Sequence, residues 1–259
     1  CAPPLRRENP YRAFVSIAHG CDNFCAYCIV PHVRGRFASR DPGAILDEVR
    51  CLVASGVKDV TLVGQNVNSY GTDRVDGWTF PRLLREAGRV RGLWRLRFAT
   101  NHPKDLTEEL GRTLAEGPPL CPALNLPLQA GSDRVLALMN RGYTVEDYAA
   151  RVAMLRRYLP DVGLTSDLIV GFPGETEEDF RESLGALERF RFDQVHTAAY
   201  SPRPGTQAAS MAPAVPEEER FRRLEEANSL QRRIATEINR DRVGRVYEVL
   251  LDAPAPRGE

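Results

Sequence analysis

The chain has 259 residues, 42% of them hydrophobic, enough for a sizeable buried core. No stretch approaches the roughly 18 apolar residues of a membrane span, so a cytoplasmic protein that meets no membrane is expected. Its 35 basic residues offset its 35 acidic ones, which leaves any contact with nucleic acid to local patches.

Residues 1–12, CAPPLRRENPYR, show no periodicity and read as a linker. Short β-rich runs then alternate with helical patterns. The strands are expected at 14–20, 59–66, 95–100, 123–129, 163–172 and 194–202, and the helices near 43–55, 79–90, 106–116, 144–159, 176–190 and 216–243. Thr144 ahead of Glu146 and Asp147, and Thr176 ahead of Glu177, Glu178 and Asp179, are helix start signals. Strand alternating with helix implies a parallel sheet with right-handed crossovers. The repeat of roughly 31 residues matches the unit of an eightfold barrel but stops two units short of closure. The expected fold is therefore α/β, a partial, laterally open (βα)6 TIM-like barrel over residues 13–243, with a doubly wound sheet as the alternative. Residues 244–259 start a strand at Arg245 and then run into Pro and Gly, so a fragment of a longer protein is expected.

In either architecture chemistry belongs at the carboxyl ends of the strands. The unusual loops fall there: GQNVNSYG after the second strand, TNHP after the third, NLPLQAGS in the fourth, GFPGET after the fifth and SPRPGT after the sixth. Their glycines let backbone amides approach a ligand closely, although each loop alone could simply make a turn. In the fifth strand, alternation puts Thr165, Asp167, Ile169 and Gly171 on one face and Leu164, Ser166, Leu168 and Val170 on the other. An Asp there is costly unless paired, and a structural bond to a neighbouring strand is as good an explanation as a ligand.

Three of the six cysteines crowd into HGCDNFCAYCIVPHVRG, directly after the first strand: Cys21, Cys25 and Cys28. So short a cluster in so large a chain favours metal over disulfides. Structural zinc wants four ligands, which His19, His32 or His102 could complete. A four-iron cluster held by three thiolates instead leaves one iron open for chemistry. Cys51, mid-helix, and Cys121, before the fourth strand, read as small packed residues.

The spacing Cys21-x3-Cys25-x2-Cys28, with Tyr27 before the last cysteine, resembles the radical S-adenosylmethionine (SAM) signature. Together with SR at 39–40, GQNVNSYG, LPLQAGSDRVL, MNRGYT, DLIVGFPGET and SPRPGT in order, the chain resembles the methylthiotransferase branch. GQNVNSYG is most similar to the MiaB-type enzymes, which act on N6-isopentenyl adenosine beside the tRNA anticodon. It is less similar to relatives acting on threonylcarbamoyl-adenosine or a ribosomal protein. Asn101, Asn125 and Ala130 depart from the family pattern of Ser, His and Ser, and asparagine cannot titrate.

The resemblance implies a [4Fe-4S] cluster on Cys21, Cys25 and Cys28 whose open iron binds SAM, and a radical that takes hydrogen from C2 of the adenine. It implies SAM contacts from Tyr27, from Gly64, Gln65 and Asn66, from Val170 and Gly171, and from Gln129, Asp167 and Arg203. It further implies a tRNA anticodon stem-loop as partner, a flavodoxin-like or similar electron donor, and a second [4Fe-4S] cluster in the full-length protein only. A TRAM-like RNA-binding domain would start at residue 244. A non-catalytic, zinc-stabilised RNA-binding module is the competing reading. On the last helix, Phe221, Leu224, Ala227, Leu230, Ile234 and Ile238 define one apolar face. Residues 231–245 carry five Arg against Glu237 and Asp241, an expected phosphate contact or a merely solvated face.

Overall fold

The computed structural model describes residues 9–251. In chain order the elements are β1 (Arg12–Ser16), β2 (Ala18–His19), α1 (Val30–Arg34), β3 (Ala38–Ser39), α2 (Pro42–Ala54), β4 (Asp59–Val63), α3 (Phe80–Gly88) and β5 (Arg95–Phe98). There follow α4 (Glu108–Leu114), β6 (Ala123–Asn125), α5 (Asp133–Leu138), α6 (Val145–Tyr158), β7 (Gly163–Val170), α7 (Glu177–Phe190), β8 (Gln194–Ala199) and α8 (Glu217–Asp241).

Strands β1, β4 and β5 pair in parallel, and so do β6, β7 and β8. The two halves join where the Leu96 N–H donates to Pro119 O (2.7 Å) and the Cys121 N–H donates to Leu96 O (3.1 Å). The result is one curved, all-parallel wall in the order β1-β4-β5-β6-β7-β8, the partial barrel expected. β1 and β8 each pair on one side only, which leaves the barrel open between them.

Alternation in β7 follows the sequence pattern. Leu164, Ser166, Leu168 and Val170 are buried under the helices, while Thr165, Asp167 and Ile169 face the half-open interior. The layer between wall and helices is apolar and tightly packed. Tyr148 is fully buried with its ring 4.9 Å from Phe190 and its hydroxyl donating to Leu126 O (2.8 Å), so its polar end is satisfied. Burying each such side chain is worth about 1.5–3 kcal/mol. α6 and α7 begin with the capping boxes their sequences announce, Thr144 with Asp147 and Thr176 with Asp179. Among the described residues no helix is long and apolar enough to cross a membrane.

Four local differences from the sequence reading have identifiable causes. The first strand is broken after Ser16: β2 leaves the wall and pairs antiparallel with β3, Ala18 opposite Ser39 and His19 opposite Ala38. The fourth strand ends at Asn125 because Pro127 has no N–H for the ladder, although the chain continues alongside β7 through the Gln129 N–H to Asp167 O (2.8 Å). On α8, Ala227 and Ile234 are buried, but Phe221 is 55% exposed and Arg223 takes an inward position instead. The strand expected from Arg245 does not form: residues 245–251 pair with no other strand, and Val246 and Leu251 are exposed. Residues 1–8, in the expected linker, and 252–259, in the expected TRAM-like start, lie outside the described residues.

Candidate functional site

The β2–β3 pair is the neck of a closed loop, residues 20–36, that projects from the carboxyl end of β1. The chain crosses itself there. Gly20 has φ +70°, and a Cβ on it would lie 2.1 Å from Arg36 O, so only glycine fits. The Cys21 N–H reaches Gly35 O (3.3 Å), and Asp22 Oδ1 accepts from the Phe37 N–H (3.2 Å). The far side is tied to the turn after α5, where the Ala26 N–H donates to Met139 O (2.9 Å) and Asn140 Nδ2 donates to Phe24 O (2.7 Å). A loop whose ends meet and whose body is anchored on both sides holds its side chains in fixed places.

Inside it lie Cys25, buried, and Cys21 and Cys28, half-buried. Burial pushes the Cys21 thiol up, and negative charge on Cys25 and Cys28 pushes it further. Burial likewise raises Cys28, with Cys25 adding to it and Arg203 and Arg141 pulling the other way. The three sulfurs therefore share one charge environment, with two guanidinium groups beside it.

Arg141 was not singled out in the sequence. It is 4% exposed, and its Nη1 donates to Cys25 Sγ (3.4 Å) and to the Tyr27 hydroxyl (3.2 Å). Its Nε donates to the Tyr143 hydroxyl (3.0 Å) and its Nη2 to Pro127 O (3.0 Å). Burial works against the charge, but Tyr27, Tyr143 and Cys25 hold it on, and the net shift is upward. Among the described residues no carboxylate pairs with it. Without one, this buried cation rests on hydroxyls and a carbonyl and has Cys25 as its acidic neighbour. The signal lay within MNRGYT, where Asn140 (φ 56°) and Gly142 (φ 68°) make the turn that aims Arg141 inward.

Two further loops leave the carboxyl ends of β4 and β5, Gly64 of the first lying against Ala18 O at the base of the thiol loop. They are joined by the Val67 N–H to Thr100 O (3.0 Å) and by Thr100 Oγ1 donating to Gly64 O (2.6 Å). Thr100, a β-branched residue at φ 68°, is held in an unfavourable backbone region, as is Gln129 at φ 74°. Three amide oxygens in these loops, Gln65 Oε1, Asn66 Oδ1 and Asn101 Oδ1, are buried without a hydrogen-bond donor. Asn66 Nδ2 is engaged by Ser69 Oγ and Asp105 Oδ2 (both 2.6 Å) and Asn101 Nδ2 by Asn125 O (2.8 Å), so the unmet need is for donors. His102 is buried beside them, and its Nδ1 accepts from the Lys104 N–H (3.3 Å), which puts the proton of the neutral ring on Nε2. Burial, with Arg141, Lys104 and Arg151 adding, lowers its pKa to about 2.

The remaining sequence-derived residues divide. Asp167 faces the interior half-buried, its Oδ2 accepting from Asn125 Nδ2 (3.4 Å), and Arg203 is exposed yet near enough to Cys28 to act on its charge. Val170 does not join them through its side chain, which is 1% exposed in the layer under the helices. Gly171 has a packing reason of its own: φ is +70°, and a Cβ would lie 2.2 Å from Arg220 Cγ. Its N–H is held by Glu175 Oε1 (2.9 Å), which is also paired with the buried Arg223 of α8 (2.6 Å). The expected basic face of α8 is largely neutralised, since Arg233 pairs with Glu188 (2.9 Å), Arg242 with Asp193, and Arg245 with Asp161 (3.7 Å).

The Radical SAM superfamily profile matches residues 15–187, from β1 through most of α7. The chain belongs to the radical SAM superfamily. A tRNA-2-methylthio-N(6)-dimethylallyladenosine synthase of Acetivibrio thermocellus is 51% identical over 251 residues, covering 96% of this chain and 52% of the relative. The synthase of the same name from Carboxydothermus hydrogenoformans is 47% identical, covering 99% and 58%. The chain thus spans about half the length of the curated relatives it matches. Among solved structures, the fold is shared with the radical SAM methyltransferase TsrM of Kitasatospora setae (TM-score 0.62, 22% identity, covering 76% of this chain and 38% of that one). It is shared too with coproporphyrinogen III oxidase HemN of Escherichia coli (TM-score 0.59, 19% identity, 88% and 53%).

Three thiols gathered in one closed loop, a buried guanidinium against Cys25 and amide oxygens that lack donors in the loops after β4 and β5 are a donor set that an iron–sulfur cluster and a zwitterionic ligand would suit.

Proposed function

We propose that this chain is the core of a radical SAM methylthiotransferase that modifies C2 of N6-isopentenyl adenosine beside the tRNA anticodon. The observation that carries it is the closed three-thiol loop with the buried Arg141 guanidinium against Cys25, in a chain about half identical to synthases of that name. Cys21, Cys25 and Cys28 hold a [4Fe-4S] cluster, and SAM binds beside it. Bound together, the two supply one-electron cleavage of the sulfonium and a hydrogen-abstracting radical.

The chain's own residues bind and orient. Arg141 offers the countercharge to the SAM carboxylate, and Gln65 and Asn66 offer acceptors to its ammonium. Tyr27, its hydroxyl fixed by Arg141, keeps water from the inner side of the loop. Glu175 fixes the Gly171 amide and so the turn after β7, where the adenine lies against Val170 and Gly171 backbone. Gln129 and Asp167 contribute polar contacts from β6 and β7, and Arg203 adds positive charge at Cys28. Residues 13–243 form this core, and residue 244 begins a TRAM-like domain. The partners are a tRNA anticodon stem-loop and a flavodoxin-like one-electron donor, and sulfur delivery uses a second cluster of the full-length protein in the cytoplasm.

The test is the full-length protein with anticodon stem-loops carrying either isopentenyl- or threonylcarbamoyl-adenosine, read by mass spectrometry. A methylthio product on the first alone is expected. Product only on the second would refute the substrate assignment.

A further inference from the structure

The turn after β7 is held from beyond the superfamily match. That match ends at residue 187, yet α8, which begins at Glu217, grips both ends of residues 171–175. Arg220 lays its aliphatic stem across Gly171: the three atoms nearest a Cβ there all belong to Arg220, Cγ at 2.2 Å. Its Nη1 donates to Tyr200 O, and the Tyr200 N–H donates in turn to Val170 O (2.9 Å), so one side chain ties together the carboxyl ends of β7 and β8. Three residues on, and so on the same face of the helix, the buried Arg223 donates through Nη1 to Glu175 Oε1 (2.6 Å) and to Glu175 O (3.3 Å). The same Glu175 Oε1 accepts from the Gly171 N–H (2.9 Å). Packing alone does not account for Arg220. Its Nε is buried without an acceptor, a cost that a leucine over Gly171 would avoid. What the arginine adds is reach, covering one strand end while bonding the next.

We infer that Arg220 and Arg223 are positioning residues for SAM, holding the Val170–Gly171 backbone from α8 in the conformation that receives the adenine. The inference rests on the proposal that the adenine lies against that backbone. A turn that is in the receiving conformation only part of the time raises the apparent Kd by the inverse of that fraction. The effect falls on the adenosine half of the ligand. The methionine half, beside Arg141, Gln65 and Asn66, keeps its contacts.

The test uses intact, cluster-loaded protein and three probes, SAM, 5′-methylthioadenosine and L-methionine, with Kd measured by anaerobic equilibrium dialysis. Arg220 is only half-buried, so Arg220→Ala should fold. It should weaken SAM and 5′-methylthioadenosine about tenfold and leave L-methionine within about twofold. Arg220→Lys, which keeps the stem over Gly171, should restore most of the loss. In the wild-type protein SAM should slow amide hydrogen exchange in residues 220–227 as well as in 170–175, a readout that needs no variant. SAM affinity unchanged in Arg220→Ala would overturn the inference. So would an equal loss for all three probes, since the arginine would then only hold the fold, and so would protection confined to 170–175. A wild-type protein that binds L-methionine and SAM equally well, with no protection at 170–175, would instead remove the adenine placement beneath it.

Discussion

Arg141→Met separates a ligand-binding guanidinium from a structural one. Methionine fills similar space without the charge. In the ligand-free protein two effects oppose each other. Removing a buried ion in favour of an apolar side chain is often neutral or stabilising by about 1–4 kcal/mol. Against that, the Tyr27 hydroxyl loses its contact with Nη1, a loss of about 1–3 kcal/mol, while the Tyr143 hydroxyl keeps Leu128 O at 2.8 Å. The melting temperature should therefore move by only a few degrees, at about 2–4 °C per kcal/mol for a chain of this size. SAM binding should change far more. Taking away one partner of a buried charge pair costs about 2–5 kcal/mol, or from about 30-fold to more than a thousandfold in Kd. The assay is anaerobic equilibrium dialysis of labelled SAM against protein of matched iron content. Arg141→Lys should recover part of the affinity, since a single ammonium replaces a planar fork. SAM affinity within about threefold of wild type in Arg141→Met at full iron content would refute the assignment. A fall of more than about 10 °C in Tm would show the guanidinium to be mainly structural.

Other residues give sharper structural tests. Gly20→Ala places a methyl group against Arg36 O at a positive φ, so cluster uptake should fall while the far-UV spectrum of the barrel is retained; normal iron content would contradict the crossing. Arg223→Met leaves Glu175 buried and unpaired and should destabilise by about 3–5 kcal/mol in denaturant titration, with the double change Arg223→Met/Glu175→Gln recovering much of it. For His102 the folded pKa of about 2 lies below the ordinary 6.5, so the unfolded chain takes up a proton that the folded one refuses. Stability should then fall as pH drops from about 6.5, by about 2 kcal/mol at pH 5, and His102→Asn should flatten that slope; an unaltered slope would count against it.

Much of the fold was readable because helices and strands alternate with strong periodicity and explicit caps, as in α6, α7 and β7. Short elements escaped: α1 and α5 are too brief for periodicity to register, and the two-residue strands β2 and β3 have no pattern at all. The cysteines were legible as a cluster, and the glycines and amides as a group of loops. Arg141 was not, because its role depends on the approach of a turn after α5 to a loop more than a hundred residues earlier. Gly171 and Arg223 teach the converse. Apolar spacing on α8 puts Phe221 inward, but the buried charge of Glu175 draws Arg223 in instead, which no local pattern encodes.

The central claim is that the three-thiol loop cleaves SAM reductively. After anaerobic reconstitution with iron and sulfide, dithionite and SAM should yield 5′-deoxyadenosine by chromatography, and Cys25→Ala should abolish it. Folded protein that binds zinc, refuses iron and leaves SAM intact would contradict the account.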